Sequence, residues 1–65
     1  MNKEAYIDQK ILEFEEKLTA IRTLRALENQ KKISDRNYKG LYLLHKDEVL
    51  YLFCIEQFKL LKEMP

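Results

Sequence analysis

The side chains best suited to proton transfer or metal binding stand together in one short stretch, HKDE at residues 45–48. His45 is the only histidine of the chain, and histidine is the side chain that ordinarily exchanges protons near neutral pH. Asp47 and Glu48 could add carboxylate oxygens, but the spacing matches no established ligand set, and a metal would need a further ligand. A polar turn between two structural elements explains the same residues, so we expect no metal, no cofactor and no catalytic role here.

Cys54 is the only thiol of the chain, and it lies inside the apolar run VLYLFCI, residues 49–55. A reactive thiolate needs a nearby cation or a helix N-terminus, and the run supplies no cation. A buried cysteine of this kind behaves as a small apolar side chain. Because the sequence also lacks a glycine-rich phosphate loop and a serine nucleophile motif, we expect a non-enzymatic protein.

A third group is the basic segment of residues 17–39, in which seven lysines and arginines accompany two acids. These charges could neutralise phosphates, and Tyr38 could stack on a base. Against a nucleic-acid interface, the net charge of the chain is only +1 and no helix-turn-helix spacing is recognisable, so a solvated charged face is the commoner meaning. The candidate contacts with nucleic acid or another partner are Arg22, Arg25, Lys31, Lys32, Arg36, Tyr38 and Lys39.

The elements that must position these groups are predicted to be helices. From Lys3 to about Lys31 the chain has no glycine or proline, and its apolar residues recur at spacings of 4, 3, 4 and 3, which is the pattern of a packed helix seam. The seam residues are Ile7, Ile11, Phe14, Leu18 and Ile21. The segment 29–40 is the predicted linker, where Ser34 or Asp35 could cap a second helix.

Residues 41–55 allow two interpretations. Two strands, GLYLL and EVLYLFCI, could form a β-hairpin in an α-β-β-α chain, but the segment is rich in leucine and lacks a tight-turn signal. As a helix, it could break near His45–Asp47 with Asp47 as the N-cap. Its apolar residues would then share one face. These residues are Leu44, Tyr51, Ile55, Phe58 and Leu61. We therefore predict an all-α helical hairpin, with the β-hairpin at 41–55 as the alternative.

The run VLYLFCI predicts association, because it is apolar around the whole circumference of a helix and one partner helix cannot surround it. A single domain of 65 residues also has a small core. We expect a homodimeric, coiled-coil-like bundle. The acids of residues 1–16 and the bases of residues 17–39 predict antiparallel pairing of any self-associating first helix. The predicted oligomer interface comprises Ile7, Ile11, Phe14, Leu18, Ile21, Tyr51, Leu52, Ile55 and Phe58.

The function predicted from these features is a protein–protein interaction module. We expect a small homo-oligomeric regulator or inhibitor that binds another protein through apolar and tyrosine-rich helix faces, since tyrosine is enriched at protein contacts. The alternative is a dimeric nucleic-acid-binding regulator that uses residues 22–39. The N-terminus is charged where a signal peptide would be apolar, and the longest apolar run falls far short of a membrane span, so we expect a cytoplasmic protein without a membrane partner.

Overall fold

Two long helices joined by a short turn form the fold of the computed structural model, which describes residues 2–64. Helix α1 spans Lys3–Asn29 and helix α2 spans Tyr38–Glu63, with a single 3-10 turn at Ile33–Asp35 between them. The helices pack antiparallel against each other, and the molecule measures 52 × 15 × 12 Å along its principal axes. The predicted all-α helical hairpin is confirmed. The alternative β-hairpin at 41–55 is wrong, because these residues all lie within α2.

Helix α2 is continuous through the segment where a break was predicted. His45 and Asp47 lie on exposed parts of its surface, and Asp47 caps no helix. Between Leu41 and Glu63 there is no glycine or proline to interrupt the backbone, and most residues there are good helix formers. Three polar residues in a row were mistaken for a turn, whereas on the helix they point in directions about 100° apart, and all three lie on its exposed surface.

Asparagine side chains begin both helices. The carboxamide oxygen of Asn2 accepts a hydrogen bond from the backbone N–H of Ala5 at 2.7 Å, and that of Asn37 accepts from Gly40 at 2.9 Å. Each bond satisfies one of the unpaired N–H groups of a first helical turn. The predicted caps, Ser34 and Asp35, lie instead in the 3-10 turn. The start of α2 at Tyr38 is therefore set by Asn37.

A narrow apolar seam between the helices forms the core. Its buried side chains are Ile7, Leu18, Ile21 and Ile55. At the middle of the seam, the ring centroid of Phe14 lies 5.6 Å from that of Tyr51 and 5.9 Å from that of Phe58. Leu61, which was predicted on the same face of α2, is exposed. So few buried side chains make a small core for a chain that must order 60 or so residues, a size at which association commonly supplies part of the stability.

Candidate functional site

Helix α2 carries a second apolar surface on the side opposite the seam. We call it the outer face. Its apolar residues are Tyr42, Val49, Phe53 and Leu60 at the centre, with Leu43 and Leu50 on one flank. On a helix with 3.6 residues per turn, Val49 and Phe53 point nearly opposite to Tyr51 and Ile55, which face α1. Apolar residues on two opposite sides of one helix indicate two packing partners, and the hairpin supplies only one of them.

The side chains of the outer face are large and apolar, yet about half of each is exposed. Tyr42 is 61% exposed and Phe53 is 60% exposed. Together with His45 and Lys46, four of the apolar residues line a shallow groove along α2. Contiguous apolar patches larger than a few hundred Å² are rare on soluble monomers and mark contact sites. The outer face is therefore the candidate functional site.

Charged residues border this apolar surface, and their sign changes from one half of the helix to the other. Lys39 and Lys46 lie on its N-terminal half, and Glu56 and Glu63 lie on its C-terminal half. Within residues 2–64 none of the four forms an ion pair, although the Lys46 amine lies 6.0 Å from the ring centroid of Tyr42. The face thus presents a positive half and a negative half with apolar residues between them.

Glu48 lies in the seam between the two helices. Its two carboxylate oxygens accept a hydrogen bond from Nη1 of Arg25 at 2.7 Å and from Nε of Arg22 at 3.1 Å, and only 13% of the side chain is exposed. The hydrogen bond from Arg25, and to a smaller extent the one from Arg22, lowers the pKa of Glu48. The hydrogen bond to the Glu48 carboxylate raises the pKa of Arg25. The ion pair links the two helices.

The side chains of His45, Asp47 and Glu48, which were considered for proton transfer or metal binding, are dispersed around α2. No group of three potential ligand side chains within residues 2–64 is arranged to hold a metal ion. His45 lies at the edge of the outer face, while Glu48 is held by two arginines of α1. Cys54, predicted to be a core residue, is a free thiol that is half-buried beside the seam.

Much of the basic segment is used to build the turn. Arg36 donates from Nη2 to the backbone carbonyl of Asn29 at 2.7 Å and from Nε to that of Lys31 at 3.1 Å. Glu28 accepts the backbone N–H of Asn37 at 2.6 Å and pairs with the Lys31 amine at 2.8 Å. The Lys31 and Asn37 contacts lower the pKa of Glu28.

The remaining residues of the proposed nucleic-acid surface are separated by the fold. The Tyr38 hydroxyl donates to the carbonyl of Ile33 at 3.0 Å, and Arg22 and Arg25 bind Glu48. Lys32 and Lys39 are exposed, in the turn and on the first turn of α2. Nucleic-acid binding by residues 22–39 stays a prediction, although all three arginines of this segment bind groups within the chain.

The residues of the predicted oligomer interface lie on two different surfaces of the structure. Leu52 is 45% exposed, but the other residues lie along the seam, where each helix covers the other. These seam residues are Ile7, Ile11, Phe14, Leu18, Ile21, Tyr51, Ile55 and Phe58. Their use between two copies stays a prediction, although the buried ones have little surface left for a second contact. Antiparallel self-pairing of α1 likewise stays a prediction.

A second heptad spacing in the sequence of α2 indicates the outer face. Residues 42, 46, 49, 53, 56 and 60 recur at spacings of 4, 3, 4, 3 and 4, which is a second heptad seam in the same helix. Because positions 46 and 56 of this spacing are charged, the pattern is not visible in the apolar residues alone. Val49, Leu50 and Phe53 therefore entered the prediction of association only as part of the run VLYLFCI, and Leu60 was not assigned to an interface.

Comparison with protein-family models, with curated proteins and with solved structures found no match for this chain. In residues 2–64, neither helix combines the length and the apolar character that crossing a membrane would require.

Proposed function

We propose that this chain is a non-enzymatic interaction module that self-associates and regulates or inhibits another protein. The observation that carries the proposal is the outer face of α2, where large apolar side chains stand uncovered on the side opposite the seam. Burial of apolar surface is worth roughly 25 cal/mol per Å², so covering this face would stabilise an assembly substantially. The small core of a single hairpin supports the same conclusion, since a short chain gains from a second copy.

Self-association is tested by measuring the solution mass of the purified protein at micromolar concentrations by sedimentation equilibrium. We expect a dimer or a small homo-oligomer. Leu50→Gln on the outer face should shift the equilibrium toward the monomer, because it places an amide in the contact. Leu27→Gln is the matched control, since Leu27 on α1 is 55% exposed and Leu50 is 54% exposed. A folded monomer of the unmodified chain would refute self-association.

The binding of another protein uses surface outside the self-contact. Leu24, Leu27, Ile33 and Tyr38 are exposed near the turn, where they would form an apolar end of the module. A photo-crosslinking residue at Ile33, introduced in the native host, should yield a discrete adduct heavier than the homo-oligomer. The same probe at Glu16, on the exposed surface of α1, is the control. Adducts only of the chain with itself would count against a regulatory partner.

A further inference from the structure

We infer that the occupant of the outer face is a second copy of this chain, with the two α2 helices antiparallel and level with each other at Tyr51. This inference rests on the proposed self-association and adds to it the surface, the orientation and the register. The contact would consist of the second heptad seam of α2 and the charges that border it. Residues of α1 would lie on the outside of the pair, because α1 covers the opposite side of α2.

A two-fold axis at the level of Tyr51 brings chemically matched residues together. Val49 would face Phe53 of the other copy at the centre, and Tyr42 would face Leu60 farther out. Each apolar pair occurs twice because of the symmetry. Any seam with spacings of 4, 3, 4, 3 and 4 lines up with itself in this way, so the spacing permits the contact without selecting its direction.

The charges select the direction. In the antiparallel register Lys46 faces Glu56 of the other copy, and Lys39 faces Glu63, so that the two copies form four oppositely charged contacts. In a parallel pair in which equivalent residues lie side by side, each of these lysines and glutamates would face the same residue of the other copy, and like charges would repel. Complementary charges across a helical interface determine orientation and partner choice. The same four side chains form no ion pair inside the described chain.

The apolar area is sufficient for a specific dimer. The six apolar residues of the outer face are between 44% and 61% exposed. An aromatic side chain can bury about 150–250 Å² and a leucine or valine somewhat less, so that the six, about half exposed, leave on the order of 600 Å² per copy. Two copies would then bury roughly 1,200 Å² of apolar surface, at the lower end of the range for stable specific interfaces before any polar contact is counted.

Charge reversal distinguishes the antiparallel register from a parallel one. Lys46→Glu should raise the dimer dissociation constant about tenfold, because each of the two symmetric contacts changes from attraction to repulsion. Glu56→Lys should have a similar effect. The double variant Lys46→Glu with Glu56→Lys restores opposite charges in the antiparallel register and should return the constant to within about threefold of the original.

In a parallel dimer, the single and double reversals would all leave like charges facing each other, and none would be rescued by another. Lys32→Glu and Glu16→Lys are the controls, since both residues are exposed, lie off the outer face and undergo the same changes in charge. Both control variants should keep the original dissociation constant. A double variant that is no tighter than either single variant would overturn the proposed register.

The orientation is measured independently by a spin label at Lys32→Cys in a Cys54→Ala background. Antiparallel helices place the two turns at opposite ends, about 40 Å apart given 26 residues in α2 at about 1.5 Å each. A parallel dimer would bring them within about 20 Å, because packed helix axes lie about 10 Å apart. A short distance in a stable dimer would refute the antiparallel contact but leave self-association intact. A monomer would refute both.

Discussion

Arg25 and Glu48 occupy facing positions in the apolar seams of the two helices, and their side chains meet at 2.7 Å. Arg25 follows Ile21 by four residues and so occupies the next position of the α1 seam. Glu48 lies between Leu44 and Tyr51, at spacings of 4 and 3, and so occupies a position of the α2 seam. Both positions would ordinarily be apolar. A mostly covered ion pair contributes little net stability, but removing one partner leaves a desolvated charge, so such pairs serve to fix register in helical assemblies. We infer that this pair holds α2 at one level along α1.

Glu48→Gln should lower the free energy of unfolding at neutral pH, and the difference from the unmodified chain should shrink on acidification. The arginines lower the pKa of Glu48 below its ordinary 4.5, so the unfolded state binds a proton at higher pH than the folded state. The stability supplied by the carboxylate is complete above pH 4.5 and is lost as the pH falls through the lowered folded value. Urea unfolding followed by circular dichroism at several pH values measures this difference.

The control for this experiment is Glu16→Gln, which removes an exposed carboxylate from α1. Its stability should follow that of the unmodified chain at every pH. If the Glu48→Gln and unmodified curves stay parallel from neutral to acidic pH, the ion pair does not contribute to the pH dependence. Both proteins must be compared at one chain concentration, because self-association also changes the apparent stability.

Phe14→Ala and Phe53→Ala should destabilise the protein in different ways. Phe14 packs on Tyr51 and Phe58 inside the hairpin, so its loss should cost about 2–3 kcal/mol at every protein concentration. This is less than the roughly 3–5 kcal/mol of a buried phenylalanine because Phe14 is half-buried. Phe53 lies on the outer face, so its loss should leave the isolated hairpin nearly unchanged and weaken the dimer. Thermal melting over a hundredfold concentration range separates the two. A concentration-independent loss for Phe53→Ala would contradict its proposed role.

The periodicity of the sequence predicted which residues of α1 are buried but not what buries them. Spacings of 4 and 3 from Ile7 to Ile21 mark one packed face, and the same pattern arises whether the partner helix belongs to the same chain or to another. Residues 45–47 misled the interpretation of α2 because polarity alone does not distinguish a turn from the exposed side of a helix. The two apolar sides of α2 were detectable in the run VLYLFCI, which the prediction of association used.

The turn could not be predicted from local signals. Arg36 ends α1 by reaching back to Asn29, seven residues earlier, and Glu28 reaches forward nine residues to the N–H of Asn37. Contacts of this kind depend on the path of the chain and not on a neighbouring residue type. A basic run suggested a surface for phosphate, whereas its three arginines all bind groups within the protein.

Arg36→Gln should lower the free energy of unfolding by about 1 kcal/mol, because two backbone carbonyls at the end of α1 lose their donors. Arg36→Lys should not restore it fully, since a single amine lacks the planar arrangement of donors that reaches both carbonyls. Lys32→Gln removes a positive charge from the same turn and is the matched control, with an expected change near zero. Equal effects of Arg36→Gln and Lys32→Gln would show that charge, and not the hydrogen bonds, matters in this turn.

Gly40 and Asn37 should be energetically coupled at the start of α2. A Cβ atom added to Gly40 would lie 2.8 Å from Nδ2 of Asn37, so the capping side chain would have to turn away and lose its bond to the Gly40 N–H. Gly40→Ala alone should therefore change stability little, because a gain of about 1 kcal/mol in helix propensity offsets a similar loss of the cap. In an Asn37→Ala background nothing obstructs the new methyl group, and Gly40→Ala should stabilise the protein by about 1 kcal/mol.

A double-mutant cycle from urea unfolding measures the coupling between Asn37 and Gly40. Additive effects of the two substitutions would mean that the cap and the methyl group coexist.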